Sequence, residues 1–322
     1  MMRRRDMLLG AAAAAGSWRV GAQEAPKSAH IGFIVTGEAF PSRDFFEAMH
    51  QLGWIEGRNL VVDRRVTGDD QERRRTAAAE LVSANPRVIV AAGLIDALPV
   101  HALTHTTPII VIAGLDLVEA GLAESLGRPG GNVTGVTVLG SDLDGKRLEL
   151  LRELVPAAAR ISALDYARSP RAIPRTTAIE AIGRKLGLRV TARLVSAAEE
   201  FDDAFAVGAA DLDQAMLVLA TPLTMENRPR IVALAARYRL PAIYERREFV
   251  EDGGLLSYGQ PWRESLERAA ALVDKVLKGA KPADLPVEQP TRFDLVINLK
   301  TAKELGLTIP PSILARADEA IE

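Results

Sequence analysis

The chain has no cysteine, so it can form no disulfide, no thiolate metal site and no lipid anchor on a cysteine behind an export signal. Histidine is nearly as scarce, at 4 of 322 residues, which leaves little material for imidazole chemistry. Neither sign of charge dominates: 40 basic and 42 acidic residues give a net charge of -2, without the basic footprint of a nucleic-acid binder. Beyond the N-terminus no apolar run approaches the roughly 20 residues that a membrane helix needs. The Gly-x-Ser-x-Gly elbow of a serine hydrolase is missing too, and Ser257 in "LLSYG" lies in a predicted strand with no base in the pattern.

What is present begins with "MMRRRDMLLGAAAAAGSWRVGAQEAP": a basic start, an apolar stretch over 7–15 and small residues in "VGA" at 20–22. That order predicts a signal peptide over 1–22, cut after Ala22. The Arg4-Arg5 pair resembles a twin-arginine export signal. With no cysteine to carry a lipid, the mature chain is expected free in the periplasm.

From residue 30 onward, β-rich apolar runs alternate with helical patterns. "HIGFIV", "NLVVDRRV", "RVIVAA", "PIIVIA" and "NVTGVTV" are rich in Val and Ile, as in strands covered on both faces. "SRDFFEAMHQLG", "QERRRTAAAELVSAN" and "LIDALPVHALTHTT" between them carry apolar residues at helical spacing, so "ERRRT" reads as a solvated helix face. The alternation then repeats from "KRLELLRELVP" to "GLLSYG". Ser196 and Glu199 have the spacing of a capping box for a helix in this second series. The fold class is therefore α/β, with two similar doubly wound parallel-sheet lobes joined by a multi-strand hinge. Lobe I is expected over 29–140 plus about 260–290, and lobe II over 141–258 plus about 291–322. In open α/β sheets ligands bind beyond the carboxyl ends of the strands, which places a site between the lobes.

Three motifs invite a sharper chemistry and do not carry it. "GRPGGNVTGV" (127–136) has its glycines after a helical stretch, "VEAGLAESLG", and before a strand. That is the reverse of a dinucleotide fingerprint, so it reads as a helix cap at Gly127 and a turn. Gly140 to Arg147 nearly spells a phosphate loop, but Arg147 replaces the hydroxyl, and Asp142 and Asp144 read as caps of the following helix. His101 and His105 have a zinc-compatible spacing but only two ligands. No cofactor, metal site or catalytic constellation is expected.

The stretches "SLGRPGGNVTGVT", "KRLELLRELVPAAARI", "ALAARYRLPAIY", "REFVEDGGLLSYG" and "VLKGAKPADLPVEQPTRFDLVINLKTAKELGLTIPPSILARADE" resemble bacterial ABC-transporter substrate-binding proteins of the tryptophan-binding-like group, with the type I periplasmic binding fold. The resemblance runs through nearly the whole chain. It implies a monomeric receptor that closes two lobes on an amino acid or related carboxylate and delivers it to an inner-membrane ABC permease. A sensory receptor partnering a membrane kinase is the alternative role. An exported Rossmann oxidoreductase is the enzymatic one, disfavoured by the absent glycine fingerprint. Strand-end loops give the expected contacts: Thr36, Gly37, Gly93, Leu94 and Asp116 on lobe I, and Tyr166, Ser169, Thr221, Tyr244 and Tyr258 on lobe II. Hydroxyls and helix-start amides would hold a carboxylate, Asp116 an ammonium, and the tyrosines would stack. Leu94-Ile95 stands where relatives tend to carry Gly with Ser or Thr, and the loop 165–170 where theirs is Asn-Pro-rich. Both departures point to a more apolar or more anionic solute.

Overall fold

The computed structural model describes residues 28–38, 40–114, 117–137, 143–169, 171–289 and 291–322. The segment read as a signal peptide lies outside them. The first half of the chain runs β1 (Ala29–Val35), α1 (Ser42–Gln51), β2 (Leu60–Val66), α2 (Gln71–Ser83), β3 (Val88–Ala91), α3 (Leu94–Leu103), β4 (Ile109–Gly114) and β5 (Val133–Thr137). These strands form one sheet in the order β2-β1-β3-β4-β5, parallel throughout.

The second half runs α4 (Asp144–Leu154), β6 (Arg160–Tyr166), α5 (Ala172–Lys185), β7 (Arg189–Val195), α6 (Phe201–Ala210), β8 (Ala215–Val218) and α7 (Pro222–Glu226). It continues with α8 (Arg228–Arg237), β9 (Ala242–Tyr244), α9 (Arg247–Glu251), β10 (Leu256–Gly259), α10 (Trp262–Leu277), β11 (Asp294–Asn298), α11 (Leu299–Glu304), α12 (Pro311–Leu314) and β12 (Glu319–Ile321). Its sheet has the order β12-β11-β10-β9-β8-β6-β7.

The unbroken Val and Ile runs are explained by helices on both faces of each sheet. In the first lobe Phe45 and Met49 of α1 and Leu266 and Val273 of α10 cover Ile31 and Phe33, while Ala78, Leu81 and Val100 cover Ile34 and Ile89 on the other face. In the second lobe Leu148, Leu151 and Ile179 pack on Ile161 and Leu217, and Phe201, Phe205 and Phe249 on Leu164 and Val218. Each such fully buried side chain contributes roughly 1.5–3 kcal/mol over its exposed state.

The chain crosses between lobes three times. It leaves β5 for α4, leaves β10 through Gln260 and Pro261 for α10, which packs on α1 and on β4 and β5, and returns along 285–293 to β11. On the return, Glu288 runs beside β5, its N–H donating to Gly135 and its carbonyl accepting from Thr137, both at 2.9 Å.

Three local expectations are corrected. The second sheet is not wholly parallel: β11 runs antiparallel to β10, because the chain exits the second lobe at the carboxyl end of β10 and re-enters from that side. "VEAGLAESLG" is a series of turns, not a helix. Gly121 takes a φ of 71° there, and the N–H groups of Leu122 and Ala123 both fold back to the Leu117 carbonyl. Gly127 therefore caps no helix, although the stretch after it does turn into β5. The capping box is also different, since Glu200 rather than Glu199 accepts from the Ser196 N–H at 2.7 Å. A 3-10 turn at 198–200 precedes α6.

Candidate functional site

The carboxyl ends of both sheets face one gap, and side chains meet across it. The Tyr166 hydroxyl, at the end of β6, donates to Asp69 Oδ2 behind β2 at 2.5 Å. Gly37, behind β1, lies so near α7 that a Cβ there would sit 2.4 Å from Glu226 Oε1, so any side chain would displace that carboxylate. The Arg246 guanidinium, behind β9, lies 4.3 Å over the indole of Trp262 at the second crossing, and Phe40 of the first lobe meets the same indole edge-on.

On the first lobe, Thr36 is buried at the end of β1, and its hydroxyl donates to both oxygens of Asp96 at 3.1 Å. Asp96 sits in the first turn of α3, which Gly93 and Leu94 open. Arg74 of α2 donates to it through Nε at 3.2 Å and to the Gly68 carbonyl through Nη2 at 3.0 Å. Burial pushes the Asp96 carboxyl up, against the pull of Arg74 and Thr36. "ERRRT" is therefore not uniformly solvated: Arg73 and Arg75 are exposed, whereas Arg74 is buried in an ion pair.

The second lobe carries a larger ionic cluster. Asp144 opens α4 yet makes no side-chain cap, which corrects its reading as one. It accepts instead from Arg147 Nη1 at 2.7 Å and, in bidentate fashion, from Arg175 Nε and Nη2 at 2.9 and 2.8 Å. Arg175 also bonds Glu245 behind β9, which lies 3.5 Å from Arg147. Arg147 Nε donates to the Tyr258 carbonyl of β10 at 2.8 Å. Asp165, at the end of β6, accepts from the Tyr166 N–H. Burial, assisted by Glu245 and Asp144, pushes Asp165 up to about 6. Two arginines thus face three carboxylates. At Gly259 a Cβ would fall 1.9 Å from the Glu245 carbonyl oxygen, so the second crossing leaves the lobe pressed against this cluster.

The other expected contacts are placed as follows. Ser169 is half-buried in the loop after β6, its hydroxyl near the Arg171 N–H at 3.4 Å. Thr221 caps α7 and exchanges hydrogen bonds with Thr224. Tyr258 is half-buried on β10, with its ring 6.3 Å from Phe293. Tyr244 is a correction: it is fully buried, stacked 4.6 Å from Phe249 in the core of the second lobe, so its ring is not available to a solute. Asp116 lies outside the described residues, as do Gly140 and Asp142. His101 and His105 pack ring to ring at 5.0 Å, and the described residues hold no group of three side chains placed for a metal.

Asp96, Arg74, Asp144, Arg147 and Arg175 were not among the expected site residues. A signal for the arginines exists in the pattern. Arg74 heads the buried stripe Ala77, Ala78, Leu81, and Arg147 the buried stripe Leu150, Leu151, Leu154, so each is a charge on the apolar face of its helix.

Paired α/β lobes, a gap lined by strand ends and arginines neutralised within the protein define a clamp for a small molecule. The chain belongs to the ABC transporter substrate binding protein family, whose model matches residues 38–321. It is therefore a binding protein rather than an enzyme. A "Tyrosine-binding protein" of Clostridioides difficile is 27% identical over 82% of this chain and 76% of that one. An ABC domain from Streptococcus pneumonia solved in complex with L-Trp is 27% identical, with a TM-score of 0.81 over 92% of this chain and 100% of that one. A conserved domain protein from Vibrio cholerae shares the fold at 24% identity, with a TM-score of 0.82 over 92% of this chain and 99% of that one. These likenesses establish the type I periplasmic binding fold. No helix of the described residues is long and apolar enough to cross a membrane.

Proposed function

We propose that this chain is the exported, monomeric receptor of an ABC importer, and that its cleft takes an aromatic or similarly apolar amino acid for delivery to a membrane permease. The observation that carries the reading is the likeness, over nearly the full chain, to a structure solved with L-Trp. It is joined here to a cleft in which Tyr166 meets Asp69, and Trp262 meets both Arg246 and the Phe40 ring. Of the two solute characters anticipated from the sequence, more apolar or more anionic, we keep the apolar one. Arg74, Arg147 and Arg175 are already neutralised by Asp96, Asp144 and Glu245. Burial, assisted by the nearby charges of Asp69 and Glu38, pushes the Glu226 carboxyl up at the gap. Among the described residues, the buried arginines of the site thus leave no charge uncompensated for a further anion. The contacts we assign are the Gly37 and Gly93 backbones, Thr36, Leu94, Asp116, Tyr166, Ser169, Thr221 and Tyr258. The leader over 1–22 would direct the chain to the periplasm.

A thermal-shift screen of the mature chain tests this, because a ligand that binds only the folded form raises the apparent melting temperature. Aromatic amino acids are expected to raise it and sugars to leave it unchanged. A rise with sugars alone, or with no amino acid at all, contradicts the reading.

A further inference from the structure

The second crossing carries two buried polar atoms with no partner: Gln260 Oε1, an acceptor, and Trp262 Nε1, a donor. Gln260 is 8% exposed and its amide nitrogen is already used, donating to Ser265 Oγ at 3.1 Å. An unsatisfied buried donor or acceptor is destabilising because its hydration is lost without replacement, and two of opposite kind within three residues call for one explanation. Pro261 between them is extended, with φ -67° and ψ 111°, and residues two apart on an extended chain project to the same side. The pair therefore offers one acceptor and one donor two residues apart in the chain.

Their surroundings are polarised. The Arg246 guanidinium lies 4.3 Å over the Trp262 ring, and α10 begins at Trp262 with no side-chain cap on its first amides. Arg246 is itself paired with Glu248 and Glu264 stands in the first turn of α10, so what would hold an anion on the Trp262 side is the unused Nε1–H donor. On the Gln260 side the chain presses on the Glu245 carbonyl through Gly259, with Arg147 Nη2 3.8 Å from where a Gly259 Cβ would stand, so an acceptor and a guanidinium both flank that position. Both side chains stand where residues of the two lobes meet, since Phe40 and Arg246 hold the same indole from opposite lobes.

We propose that Gln260 and Trp262, with the start of α10, form a head-group subsite that selects a zwitterion, the carboxylate accepting from Trp262 Nε1 and the ammonium donating to Gln260 Oε1. The assignment rests on the amino-acid reading above and adds to it the residues that discriminate an amino acid from its amine and from its deaminated acid. The side chain of the solute then extends away from the crossing, between the facing strand ends.

Calorimetry on the mature full-length chain with L-tryptophan, tryptamine and indole-3-propionate tests this. Trp262→Phe keeps a ring against Phe40 and Arg246 but deletes the N–H. It is expected to weaken L-tryptophan and indole-3-propionate about tenfold and leave tryptamine unchanged. Gln260→Met is expected to weaken L-tryptophan and tryptamine by a similar factor and spare indole-3-propionate. A purely structural role, or satisfaction of both atoms by water, would shift all three probes alike or only the melting temperature, and either result overturns the subsite. If the unaltered protein binds L-tryptophan and both variants match it, the subsite fails and the amino-acid reading stands. If the unaltered protein binds none of the probes and no amino acid in the screen, both fall.

Discussion

On the first lobe one arginine, Arg74, meets one carboxylate, Asp96, with the Thr36 hydroxyl beside them. On the second, Arg147 and Arg175 share Asp144 and Glu245, with Asp165 close by. The first arrangement is neutral and ties β1 to α2 and α3. The second, among the described residues, sets two arginines against three carboxylates and ties α4 and α5 to the ends of β9 and β10. Buried ion pairs are weak evidence of net stabilisation, because desolvation offsets their attraction. What they fix is geometry. The second lobe thus presents the more extensively tied wall, at which the second crossing is anchored through Tyr258 and Gly259, and the first a smaller cluster.

That contrast can be broken first at its strongest point. Arg147→Met would leave the Tyr258 carbonyl without its donor and Asp144 with Arg175 alone, and removal of one partner from a buried pair costs about 3–5 kcal/mol. Urea denaturation should show a loss of that size, and a loss below about 1 kcal/mol would mean that the cluster is not holding the second lobe together. Thr36→Val deletes a donor to a buried carboxylate on the first lobe and should cost about 1–3 kcal/mol in the same assay. If it cost as much as Arg147→Met, the two walls would not differ in the way described.

The pH response sharpens the comparison. Asp165 is pushed from an ordinary 3.8 up to about 6, so the folded protein binds its proton more tightly than the unfolded chain. The stability linked to it is present below about 3.8 and lost as pH rises through about 6. Between pH 4 and 7 the melting temperature of Asp165→Asn should therefore fall less, or rise more, than that of the unaltered protein; parallel curves would remove Asp165 from the account. The smallest effect is expected within "ERRRT". Arg73→Ala and Arg75→Ala should each stay within about 0.5 kcal/mol of the parent, whereas Arg74→Ala, three residues from Ala77 on the buried stripe, should not.

Most of the fold was legible because burial on both faces leaves a plain record in the sequence. "RISALDY" became β6 residue for residue, and "WRESLERAAALVDKVLKG" became α10, one of the helices covering the first sheet. The antiparallel pairing of β11 was not legible, because direction is set by where the chain re-enters the lobe. Strand-end loops could be located, but what their side chains touch depends on elements distant in sequence. Arg175 meets Glu245 seventy positions away, and Tyr166 meets Asp69 across the gap. Tyr244 and Glu245 adjoin, yet one faces the core and the other the arginines, an alternation that the period of a strand imposes. The buried arginines were the recoverable part, since each stands at the head of an apolar stripe.

The most direct test of the whole account is small-angle X-ray scattering on the mature chain with and without L-tryptophan, followed by mass spectrometry of the recovered solute. The account predicts a smaller radius of gyration in the presence of the solute and a solute of unchanged mass. A scattering curve that stays the same at saturation, or a chemically altered solute, would contradict it.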